Sequence, residues 1–149
     1  MKRILMIVAA LMCFATFSFA VGESVTEKEW KLGTINILAL NWTSGTNGNL
    51  SIETDRAIRG MVYQAAFSNA VGTVTAYDVA LIGRLGQDVL EGQGTNITAD
   101  AILIRSAGSI ITNSVGRDIF PIPLNERLTL SVSAAGTNES GTVLLYTRP

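Results

Sequence analysis

Residues 128–147 read LTLSVSAAGTNESGTVLLYT. Leu128, Leu130, Val132 and Ala134 alternate with Thr129, Ser131 and Ser133, the period-two spacing of a strand that turns one face to a core. Gly136–Gly141 is rich in turn-forming residues, and Thr142–Thr147 resumes with Val143, Leu144, Leu145 and Tyr146. The spacing predicts two strands joined as a β-hairpin by a loop of roughly six residues.

The same period extends towards the N-terminus. Leu32–Trp42 places Leu38, Leu40 and Trp42 on one face and Ile35, Ile37 and Ala39 on the other, as in a strand inside a sheet or sandwich. The loop Thr43–Asn49 holds Asn47-Gly48, a turn signal. Leu50–Thr54 is a short strand. Ile58–Phe67 is a longer one, with Met61, Tyr63, Ala65 and Phe67 predicted on one face. Val74–Arg84 is extended around Tyr77–Ile82, and Gly83–Asn96 reads as a tight turn, a very short strand and a wide loop. Ala99–Arg105 is read as a short helix or strand and matches neither template cleanly, whereas Ile110–Val115 and Asp118–Leu124 are short extended pieces. Pro121 and Pro123 cannot donate to a ladder, which assigns their segment to a sheet edge or a crossing connection. Roughly seven or eight strands at this spacing predict an all-β chain, a β-sandwich or small jelly roll spanning 31–149.

Residues 1–20 read differently. Lys2 and Arg3 precede an apolar run from Ile4 to Phe17, and Ser18-Phe19-Ala20 places small residues where a signal peptidase requires them. The run is shorter than the roughly 20 residues of a spanning helix. The expectation is a signal peptide over 1–20 cleaved after Ala20, followed by a polar leader over 21–30; an uncleaved anchor is the alternative. Localisation would then be periplasmic, extracellular or on a virion, with no membrane segment after cleavage.

Cleavage would leave 129 residues, enough for one domain and its core. It would also remove Cys13, the one cysteine, from a chain that has no histidine. Zinc sites of the usual His/Cys kind, Ser-His-Asp triads and Cys-His pairs are thereby excluded. Carboxylate pairs remain only at Glu27/Glu29 and Glu53/Asp55, both at polar element edges where solvated acids are the ordinary explanation. Nine basic residues against twelve acidic ones, with no basic stripe, disfavour nucleic acid. The reading is therefore a non-enzyme with no cofactor and no metal. Asp78, Asp88, Asn96 and Asp100 offer oxygen ligands for calcium, but in no recognised spacing. Gly92-Gln93-Gly94 lacks the strand-to-helix setting of a nucleotide loop. Trp42, beside a polar loop, is the one candidate ligand contact: its ring would stack on a sugar, against the plainer reading of core packing.

Three segments form an ordered set: Asn41-Trp42-Thr43-Ser44 with Gly48, Gly60 and Tyr77-Asp78-Val79; Gly86–Asn96; and Leu128–Gly136 closed by Ser140-Gly141-Thr142-Val143 and Tyr146. The set resembles small β-rich proteins encoded in tailed-phage and prophage genomes, regarded as virion components. It departs from them at Ala80–Arg84, where the group carries acids, and at Ser68–Gly72, where it carries a Pro/Gly turn. The resemblance implies no catalytic residue. It implies a phage- or prophage-associated structural or surface-interaction protein, with protein partners or self-assembly. A secreted glycan-binding module and a filament subunit growing by strand addition are the alternatives.

Overall fold

The computed structural model describes residues 22–69, 76–98, 102–105, 108–113 and 116–149. The export segment and the Ala20 cleavage site lie outside them, as does Asp100. Ten strands and no helix occur among the described residues: β1 (Ser24–Leu32), β2 (Ile35–Thr43), β3 (Leu50–Glu53), β4 (Ile58–Asn69), β5 (Asp78–Ile82), β6 (Ile102–Arg105), β7 (Gly108–Asn113), β8 (Gly116–Glu126), β9 (Thr129–Ser133) and β10 (Ser140–Arg148). They form a larger sheet in the order β1-β2-β10-β4-β8-β7, with β6 also on β4, and a smaller sheet in the order β3-β9-β5. The chain is an all-β sandwich. The count exceeds seven or eight partly because Ser24–Leu32, read as a polar leader, is a full strand. A two-residue turn at Gly33-Thr34 folds it back on β2, with Gly33 at φ 62°.

The core is the space between the sheets. Leu38, Leu40, Trp42, Val62, Ala65, Phe67, Val143 and Leu145 of the larger sheet meet Leu50, Val79, Leu81, Leu130 and Val132 of the smaller one in one buried cluster. Alternation makes this possible, since every second residue of each strand points the same way. Burying a side chain such as Leu40 or Leu145 contributes about 1.5–3 kcal/mol.

Two expectations change. The strands within 128–147 do not form a hairpin: β9 pairs with β3 and β5, whereas β10 pairs with β2 and β4. The intervening residues cross from one sheet to the other through backbone at positive φ, at Ala134 (59°), Gly136 (87°) and Asn138 (56°). Ser44 anchors the crossing, donating its hydroxyl to Gly136 O at 2.8 Å and accepting from Glu139 N at 3.0 Å. Two strands that face each other across a core alternate just as two hairpin strands do, so periodicity does not separate the cases.

The single face assigned to β4 is also corrected. A register shift opposite Tyr146/Thr147 inserts one extra residue near Tyr63. Ile58 and Val62 point to the core before it, Ala65 and Phe67 after it, and Met61 lies 46% exposed. Pro121 and Pro123 sit in β8, an interior strand of the sheet order, yet the edge rule holds locally. Residues 116–121 of β8 pair with β7, and residues 122–126 pair with β4. Neither half is hydrogen-bonded on both sides by these partners, so each proline has a side that needs no donor.

Candidate interaction surface

The two sheets finish their edges in different ways. On β5 the outer side is capped by the loop that follows it. Val79 N donates to Gly94 O at 2.7 Å, Leu81 N to the Asp88 carboxylate at 3.0 Å, and Val89 N to Leu81 O at 2.7 Å. Val89 and Leu90 are buried beneath this cap. On the opposite side of the smaller sheet, β3 is only four residues long. By contrast β1 is nine residues long, ends the larger sheet, and among the described residues pairs with β2 alone. No glycine or proline interrupts it. Its outward N–H and C=O groups form a template on which another strand can add.

Alternation gives β1 two unlike faces. Trp30 stands opposite Ile37 and, one strand further, Tyr146; Lys28 stands opposite Ala39 and Leu144. These residues point away from the core. Trp30, Lys28, Ala39, Asn41, Thr142 and Leu144 line an open depression of about 560 Å3. Trp30 is 40% exposed there. Further along this face the Arg148 guanidinium lies 5.2 Å from the Tyr63 ring centre, and Tyr63 meets Tyr146 edge-on at 6.3 Å.

The other face of β1 is ionic. Glu27 accepts a hydrogen bond from Asp55 N and holds Arg56 Nε at 3.5 Å, while Glu29 holds Arg56 Nη1 at 3.3 Å. Glu29, Lys31, Arg56 and Arg59 border a second depression of about 260 Å3. The acid pair Glu27/Glu29 is thus drawn together around one guanidinium, fastening β1 to the turn after β3. Glu53 of the second pair lies 3.6 Å from Arg127.

Trp42 does not present a ring to ligands. It is 2% exposed, its ring centre 5.4 Å from that of Tyr77, and it packs on Gly141, where an added Cβ would lie 2.5 Å from Cζ2. The alternating pattern had already aligned it with Leu38 and Leu40, and the core claimed that face. The exposed tryptophan is Trp30, which lay in the segment read as a leader. Its signal in the sequence was the run Val25–Leu32, too charged to read as a strand. The acidic residues weighed for calcium act as loop staples: Asp78 accepts from Asn96 N at 2.8 Å, and Asp88 accepts from three backbone amides. Among the described residues no three His, Cys, Asp or Glu side chains gather as a metal site.

No family model matches the chain, and no curated protein matches it in sequence. A solved structure similar to it is the enzymatically active domain of tailspike protein 4 of bacteriophage CBA120, with a TM-score of 0.34 and 13% identity over 87% of this chain. The match takes in 20% of that chain, so this chain spans about a fifth of its length. A likeness of this size carries no argument about activity.

Proposed function

We propose that this chain is an exported, non-enzymatic β-sandwich that works by contact, with the β1 edge and its outward face as the working surface. The observation that carries this reading is β1 itself: a nine-residue strand, uncapped among the described residues, bearing the 40% exposed Trp30 beside a depression. The capped edge of β5 supports it by contrast, since among the described residues no loop covers β1 in that way. Phage or prophage association is part of the proposal, supported by the ordered residue set from Asn41 to Tyr146.

The test is fractionation of cells and particles from a host expressing the gene, with the chain traced by mass spectrometry. The expected result is recovery with virions or the envelope, reduced by Trp30→Ser without change in the circular dichroism spectrum. Recovery only as free soluble protein, or partition indifferent to Trp30→Ser, would overturn the reading.

A further inference from the structure

We infer that β1 pairs with β1 of a second copy, antiparallel about a two-fold axis through Trp30, joining two larger sheets into one. The inference rests on β1 being the working edge, and it names the partner.

A two-fold axis perpendicular to the sheet keeps the faces of both copies aligned, so the axis must pass at a residue, not between two. The charges of β1 then choose among centres. An axis at Lys28 sets Lys28 against itself and Glu27 against Glu29 on both sides. An axis at Glu27 or Glu29 sets that carboxylate against itself. An axis at Thr26 pairs no opposite charges and places Val25 against Glu27. An axis at Trp30 sets indole against indole, Glu29 against Lys31 twice, and Lys28 against Leu32 twice. Residues 28–32 of each copy pair in this register, and among centres that pair at least five residues of β1 it is the one that brings opposite charges together with no like charges opposed. Directly opposite side chains of one face stand close enough to interact, and like charges there are destabilising.

Both faces support this centre. On the outward face each copy's depression opens beside Trp30, so the two become one continuous hollow with the paired indoles in its floor. On the ionic face Glu29 and Lys31 border the second depression, and the Glu29 side chain stays 41% exposed while it holds Arg56. Charged residues on an edge strand ordinarily prevent indiscriminate pairing. Their order here blocks the other registers and leaves this one open, so the same charges give specificity.

The experiment is sedimentation equilibrium of the purified protein over a wide concentration range. Wild type should pass from one chain to two as concentration rises. Lys31→Glu, which leaves the Glu29–Arg56 ion pair in place, and Glu29→Lys should each weaken the dimer by about tenfold or more. The double exchange Glu29→Lys with Lys31→Glu should restore it, with circular dichroism confirming that every variant folds. A monomer at all concentrations, a dimer indifferent to the single reversals, or a double exchange no better than the singles would each overturn the pairing. A monomer that still partitions with particles through Trp30 would overturn the pairing and leave the surface reading intact. A charge-exchange-rescued dimer that never partitions would do the reverse.

Discussion

At the scale of single residues, two aromatic side chains bury polar atoms that find no partner among the described residues, Trp42 Nε1 and Tyr77 Oη. Their rings belong to the buried cluster between the sheets, so apolar area dominates and the orphaned groups are a cost. Trp42→Ala is expected to lose about 3–5 kcal/mol in urea unfolding, while Trp42→Phe, which also removes the orphan, should lose much less. Tyr77→Phe should be close to neutral at pH 7. Burial pushes the Tyr77 hydroxyl from 10.0 up to about 12. The unfolded chain then gives up this proton near pH 10 and the folded chain does not, so stability falls as pH rises from 10 towards 12. Tyr77→Phe should flatten that alkaline slope, and parallel urea titrations across the interval would show it. Gly141 belongs to the same contact. Gly141→Ala drives a methyl against the indole and Ser68 O, and should lower the unfolding midpoint well beyond an ordinary surface change. Trp42's face was legible from the spacing Leu38, Leu40, Trp42. Its burial was not, because alternation states which residues share a face and not which face is covered.

At the scale of elements, the loop after β5 depends on one carboxylate. Asp88 Oδ1 accepts from Leu81 N and Leu90 N at 3.0 Å each, and Oδ2 from Gly92 N at 2.8 Å. Asp88→Ala strands these amides and is expected to cost about 2–4 kcal/mol. Hydrogen exchange at Leu81 should accelerate more than at Leu40, because the cap opens before the core does. Asp88→Asn, which keeps an acceptor oxygen, should fall between. Strand positions were largely legible, since β2, β3, β9 and β10 lie within a few residues of their expected bounds. Strand partners were not. The pattern in 128–147 is the same for a hairpin and for a crossing between sheets; the difference resides in Ser44, more than 90 residues away, whose hydroxyl holds the crossing at Gly136. The extra residue near Tyr63 was hidden for a related reason, because a bulge reverses alternation without any required residue type. The segment read as a leader is a strand paired with β2 over its whole length, and its Glu27 and Glu29 share Arg56 across space, contacts that local composition does not contain.

At the scale of the whole molecule, the export expectation makes its own prediction. Intact mass of the exported protein should begin at Val21 and show no free thiol, as Cys13 leaves with the peptide; retention of Met1 and of a reactive thiol would refute it. The fold adds a kinetic side to this. Of the ten strands β10 comes last in the sequence, yet it lies between β2 and β4 near the middle of the larger sheet. A ribosome therefore delivers nine strands before the piece that joins them. Until it arrives β2 and β4 have no bridge, and most close contacts in the fold join distant parts of the chain. A nascent chain built this way stays loose through most of its synthesis, and looseness is what a translocation channel that accepts only unfolded polypeptide demands.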